Sequence, residues 1–117
     1  LLLAGGIGIT PLLSMAHAFA AAGQAFALHH WVRSRDRAVF GDELQAFGER
    51  FALHVDDEPA TRPDLAAVLG APQPDTHVYV CGPRGFMDWV LGTARAAGWP
   101  AAQLHCEYFS PATAAAA

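Results

Sequence analysis

The feature that most constrains this chain is a repeated change of apolar period along it. Short apolar or β-rich runs fall at residues 1–4, 25–32, 51–55, 77–81 and 103–109, and segments of helical character separate them. Residues 10–22 place Leu12, Met15, Ala16, Phe19 and Ala20 on one face, at the i, i+3, i+4, i+7 spacing of an amphipathic helix. Thr10 is a candidate cap, Pro11 suits the first helical position, and Gly23 is a natural stop. Residues 42–50 and 64–69 are shorter helical candidates, and residues 86–97 a stronger one ending at Gly98. Strand and helix in repeated alternation give an α/β fold: a parallel sheet with helices on both faces. Right-handed crossovers then leave an open, doubly wound, five-stranded sheet in three layers. Five strands are too few to close a barrel.

Composition narrows the class. A chain of 117 residues, 53% hydrophobic and 15% charged, can bury one domain's core without a metal or disulfide staple. Much of the apolar content is alanine, and no run reaches the roughly 18 apolar residues of a membrane span. Net charge is −4, and the seven basic residues, all arginine, form no stripe, so a nucleic-acid footprint is absent. Cys81 and Cys106 make neither a metal spacing nor a disulfide framework, which suits a reducing compartment and the cytoplasm. His29 and His30 are adjacent in a strand, point to opposite faces and cannot share an ion, so no metal site is expected. Residues 56–58 (Asp-Asp-Glu) read as a solvated loop. The chain opens in mid-strand without an initiator methionine and closes on an alanine run, as a piece of a longer protein would.

Open parallel sheets bind ligands beyond the carboxyl ends of their strands, so the chemistry is sought there. Gly-Gly-Ile-Gly-Ile-Thr-Pro at 5–11 follows a strand and opens a helix. Glycines permit close backbone approach, and a helix start favours a phosphate. Pro11 stands where the dehydrogenase fingerprint would want a third Gly or Ala, so the segment is either a phosphate cradle of another kind or a tight turn. Arg33-Ser34-Arg35-Asp36-Arg37 follows the second strand, where an acid favours a free ribose 2′-hydroxyl and an arginine a 2′-phosphate. Both signals are present, so the segment leaves NADH and NADPH open, beside a plain charged loop. Residues 81–88 (Cys-Gly-Pro-Arg-Gly-Phe-Met-Asp) turn from a strand tip into a helix. Cys81 has no neighbouring base, so it reads as a small residue beside a ring or as an inert strand cysteine. Glu107-Tyr108-Phe109 either face a planar cofactor or serve as edge and core.

Taken together and in order, Gly-Gly-Ile-Gly-Ile-Thr-Pro at 5–11, Arg-Ser at 33–34, Cys-Gly-Pro at 81–83 and Glu-Tyr-Phe at 107–109 resemble one family. They look like the pyridine-nucleotide domain of the ferredoxin–NADP reductase superfamily, nearest its phthalate dioxygenase reductase and vanillate O-demethylase reductase branch. The resemblance covers residues 1–109, with 110–117 as the start of a linker toward a ferredoxin-like domain. It implies that Gly6, Gly8, Ile9 and Thr10 line the pyrophosphate and ribose of the nucleotide, with Arg33 and Ser34 near the adenosine ribose. It further implies that Cys81, Gly82 and Pro83 border the nicotinamide, with Phe86 and Met87 close behind, and that Glu107 and Phe109 face a flavin. In this branch hydride passes from NADH to FMN (or FAD), then single electrons pass through a 2Fe-2S centre to a Rieske-type aromatic oxygenase or O-demethylase. The implied partners are a flavin-binding barrel and a ferredoxin domain of the same protein, and the oxygenase component. Neither domain's motif occurs here, so this chain by itself would bind nucleotide without turning over. The alternatives are a reductase of the same superfamily with another acceptor, or a non-catalytic nucleotide-binding module.

Overall fold

The alternating period is realised as five parallel strands joined by helical crossovers. The computed structural model describes residues 1–61 and 64–108. Strand β1 (Leu2–Gly5) leads through one 3-10 turn (Gly6–Gly8) into helix α1 (Ile9–Ala21). Then follow β2 (Leu28–Val32), α2 (Gly41–Gln45), β3 (Phe51–Val55), α3 (Leu65–Leu69), β4 (Val78–Gly82), α4 (Arg84–Ala96) and β5 (Leu104–Tyr108). The order is β3-β2-β1-β4-β5 and every neighbouring pair is parallel. The chain winds outward from β1 on one side and from β4 on the other, which is the doubly wound sheet expected.

Strand pleat sorts the core into two layers. Leu2 and Ala4 of β1 join Ile9, Leu12 and Ala16 of α1 and Leu44 of α2 on one face. Leu3 joins Leu65 and Leu69 of α3 and Met87, Val90 and Ala94 of α4 on the other. Of the apolar stripe expected on α1, Leu12 and Ala16 are fully packed, while Met15, Phe19 and Ala20 lie partly buried against the same layer. Helix α1 ends at Ala21, and Gly23 (φ 70°) follows its cap. The Gln24 N–H donates to Phe19 O (2.8 Å) and the Gly23 N–H to Ala20 O (3.1 Å), a glycine-dependent stop.

Three local expectations shift. Thr10 is not the cap: α1 begins at Ile9 behind Gly8, and the Thr10 hydroxyl donates instead to Ile7 O (3.2 Å). The helix expected over 42–50 splits into α2 and a 3-10 turn (Gly48–Arg50), because Gly48 takes φ +61°. The second strand starts at Leu28, not at 25.

Imidazoles pair across neighbouring strands on both faces of the sheet. On one, the His54 Nδ1–H donates to Thr61 O (2.7 Å), so His54 Nε2 accepts from the His29 Nδ1–H (2.9 Å). On the other, His77 and His105 are hydrogen-bonded (2.8 Å), and Tyr79 stacks on His105. Burial, reinforced by His54, pushes His29 down to about 4, and burial lowers His54 as well.

The loops after β1 and β4 touch. A Cβ on Gly8 would collide with the Cys81 carbonyl and lie 2.7 Å from the Gly82 nitrogen. One on Gly82 would lie 2.9 Å from Gly5 O. Gly8→Ala is therefore expected to cost ~1–3 kcal/mol or more in urea denaturation, since rigid backbone blocks the added methyl. Gly92→Ala, at an exposed α4 position with open space, is expected to gain ~0.5–1 kcal/mol in the same assay. The His29 pair sets a pH dependence. An unfolded imidazole titrates near 6.5, so between 6.5 and about 4 the unfolded chain binds protons that folded His29 refuses. Its contribution is complete above 6.5 and is lost as pH falls through that window. Urea midpoints should fall on acidification across it, and His29→Gln should flatten the slope.

Candidate functional site

Strand ends at a topological switch diverge and leave a crevice. Here it measures about 820 Å³ and is lined by Gly5, Gly6, Ile7, Trp31, Val32, Arg33, Arg37, Asp56, Pro83, Gly85, Phe86 and Trp89. Its walls come from the glycine turn after β1, the ends of β2 and β3, and the first turns of α4. A hollow of about 200 Å³ at the opposite end of β1, under Leu1, Val68, Gly70 and Trp99, is too small for a nucleotide.

The glycine turn is fixed from behind. Gly6 takes φ +55°, a left-handed conformation suited to glycine. Its carbonyl accepts from His30 Nε2–H (2.8 Å) and from the Ile9 N–H. Gly8 is buried against the β4 loop and Ile9 is fully buried, and neither lines the crevice. Thr10 is exposed one residue further on, and Ile7 at the tip of the turn is 62% exposed. Gly5 faces the Phe86 ring, where a Cβ would stand 2.6 Å from Cγ.

After β2 the three arginines separate. Arg33 and Arg37 line the crevice, while Arg35 turns away to pair with Glu58 (2.8 Å). Ser34 does not line it: its hydroxyl donates to the Asp36 carboxylate, which holds that carboxyl below its ordinary value. Asp56 does line it, so the acidic run is not simply a solvated loop. Its N–H donates to Val32 O (2.9 Å), which extends the β2–β3 ladder and brings the residue to the crevice wall.

After β4 the residues divide by face. Pro83, Gly85 and Phe86 line the crevice. Cys81 is 1% exposed within the core layer of α1, and Gly82 is buried beside it. Met87 is fully buried in the other layer, because a helix turns about 100° between Phe86 and its neighbour. Cys81 and Met87 therefore support the wall without forming its surface. Glu107 pairs in register with Cys81 across β4 and β5, and Phe109 lies outside the described residues.

Sequence reasoning missed an aromatic wall. The Trp31 and Phe86 rings lie 5.5 Å apart, and Trp89 stands edge-on to Trp31 at 6.0 Å with 46% exposure. Two periodicities carried the signal: Trp31 shares strand parity with Arg33, and Trp89 sits three residues after Phe86 on α4. Two guanidiniums, one carboxylate, a glycine turn and an aromatic wall can hold a phosphorylated ligand with planar rings. The buried Cys81 thiol is not placed as a nucleophile.

Comparison with known proteins agrees with the fold. Residues 2–91 match the model of the oxidoreductase NAD-binding domain family. A vanillate O-demethylase oxidoreductase of Pseudomonas putida is 52% identical over 114 residues, which are 96% of this chain and 36% of that protein. The structure of phthalate dioxygenase reductase, described as modular for electron transfer from pyridine nucleotides to [2Fe-2S], superposes with TM-score 0.80 and 37% identity. It is covered over 93% of this chain and 35% of that one. An intact type IV self-sufficient cytochrome P450 monooxygenase superposes with TM-score 0.84 and 38% identity, over 93% of this chain and 14% of that one. The chain spans about a third of the length of the vanillate O-demethylase oxidoreductases it matches. With the family match over most of the chain, a doubly wound sheet and a glycine turn at its switch point, the chain belongs to the oxidoreductase NAD-binding domain family.

Proposed function

We propose that this chain is the NADH-binding domain of an oxygenase reductase of the vanillate O-demethylase kind. The observation that carries the reading is the switch-point crevice, walled by the glycine turn on one side and the start of α4 on the other. In this reading the backbone of Gly6, Gly8, Ile9 and Thr10 receives the pyrophosphate and ribose, where a helix start favours negative charge. Arg33 and Arg37 add cationic donors, and the Arg33–Ser34 segment lies at the adenosine ribose, where Asp56 accepts from a free 2′-hydroxyl. Pro83 and Phe86, backed by Cys81, Gly82 and Met87, shape the end that receives the nicotinamide. Glu107 and Phe109 are assigned to the flavin-facing edge.

A flavin, FMN or FAD, supplies when bound an acceptor for the nicotinamide hydride and a relay of single electrons to a 2Fe-2S centre. The described residues fit a share of that site only as one wall, at the carboxyl ends of β4 and β5. Two cysteines cannot supply the four thiolates of a plant-type cluster, so its ligands belong to another part of the full-length protein. The work of these residues is positioning: they align the nicotinamide against its acceptor and keep water from it. The partners in this reading are a flavin-binding barrel and a ferredoxin domain of the same protein, and a Rieske-type oxygenase component. Among the described residues no helix is long and apolar enough to cross a membrane, and we place the protein in the cytoplasm, where NADH is supplied.

The test is an anaerobic absorbance titration of the full-length protein with NADH and then NADPH. Flavin and longer-wavelength iron–sulfur bands that bleach with NADH are the expected outcome. Flavin bleaching without an iron–sulfur band would replace the reading with a simpler flavin reductase, and a colourless protein would overturn electron transfer. Arg33→Ala and Arg37→Ala are each expected to weaken NADH binding ~3–10-fold by calorimetry, the loss of one charge-assisted contact. Unchanged affinity in both would remove the arginines from the site.

A further inference from the structure

His30 is fully buried on β2, in register with Ala4 of β1. Its Nε2–H donates to the Gly6 carbonyl at 2.8 Å, and its Nδ1 is buried with no hydrogen-bond partner. A carbonyl only accepts, so the proton is on Nε2 and the unpartnered Nδ1 carries a lone pair. Burial lowers the pKa of His30 and keeps this ring neutral. An orphaned buried nitrogen costs free energy that an apolar ring of the same size would not. What His30 provides in return is the bond to Gly6.

That bond sets the direction of a peptide. The C=O of Gly6 and the N–H of Ile7 belong to one planar trans unit and point opposite ways. With the carbonyl drawn inward to β2, the Ile7 N–H turns outward, on the side where Ile7 lines the crevice. The next peptide is held within the turn, because the Ile7 carbonyl accepts from the Thr10 hydroxyl and the Ile9 N–H. Gly6, at φ +55° and with open space around it, has no side chain to hold this orientation. The Ile9 N–H at the end of the turn also donates to the Gly6 carbonyl, and His30 adds a side-chain hold from the neighbouring strand.

We infer that His30 is a positioning residue for nucleotide binding, holding the Gly6–Ile7 peptide so that its N–H faces the phosphates. This rests on the reading of the crevice as an NADH site. His30 touches neither nucleotide nor flavin and acts only through the turn.

The test uses the full-length protein, with NADH as the probe, and compares His30→Phe, His30→Gln and His30→Asn. A glutamine amide nitrogen reaches about as far as imidazole Nε2 and can replace its donor, whereas an asparagine nitrogen reaches only as far as Nδ1. His30→Phe is expected to raise Kd and KM for NADH ~5–10-fold with kcat at saturation within about twofold, the loss of one oriented contact. His30→Gln should recover most of that affinity, and His30→Asn should resemble His30→Phe. A folded His30→Phe with unchanged KM, or equal losses in Gln and Asn, would overturn the inference. Should these variants fail to fold, nitrogen NMR of the wild-type ring decides. A protonated Nε2 whose resonance moves on adding NADH supports the inference, and a protonated Nδ1 or an unmoved resonance overturns it. Wild-type protein that binds no NADH would remove the site reading itself, a result separate from any effect of the variants.

Discussion

The close contact between the loops after β1 and β4 is the constraint on which the rest of this domain depends. Gly8 lies so near the Cys81 carbonyl and the Gly82 nitrogen that no side chain fits between them, and Gly82 lies close against Gly5, if less tightly. This contact, behind the crevice lining, locks the two loops together through backbone alone. It lets α1 and α4, which pack on opposite faces of the sheet, start beside the same space. A methyl group at the contact would push the two loops apart, widening the crevice and tilting both helix starts. Stability and ligand geometry are thus set by the same few glycines.

Around the crevice the side chains divide by chemistry. The aromatic wall of Trp31, Phe86 and Trp89 is continuous with the core layer beneath α4, so it is rigid at its base and exposed only at Trp89. The polar wall of Arg33, Arg37 and Asp56 stands on loops after β2 and β3. Rings offer a planar surface at low entropic cost, whereas arginines on loops adapt to where a phosphate or ribose lies. The site therefore pairs a preformed apolar side with an adjustable charged one.

The fold was legible because its strands are apolar runs and its helices are amphipathic, and neither signal needs tertiary information. The glycine turn was legible for a similar reason, since glycines between a strand and a helix have few other uses. Side-chain facing was not. Cys81 stands at a strand tip, yet strand parity sends it into the α1 layer, and Met87 follows Phe86 yet sits about 100° further around α4, inside the core. Asp56 looked like one of three solvated acids until the β2–β3 register carried it to the crevice. The bond from His30 to Gly6 was invisible in the sequence because it depends on the parallel pairing of β1 with β2.

Charge sharpens the division of labour in the proposed NADH site. The chain carries a net charge of −4, so a pyrophosphate approaches a surface that repels it on average. At 0.1 M salt that repulsion is screened beyond about 10 Å, and what the ligand meets inside the crevice is local. There the guanidiniums of Arg33 and Arg37 stand against one carboxylate, Asp56, and the helix start adds its own positive end. Arg35 contributes little, because Glu58 already neutralises it. Attraction is thereby confined to the crevice while the remaining surface stays acidic. In the proposed site, oriented backbone N–H groups then share with this local charge the work of holding an anionic nucleotide.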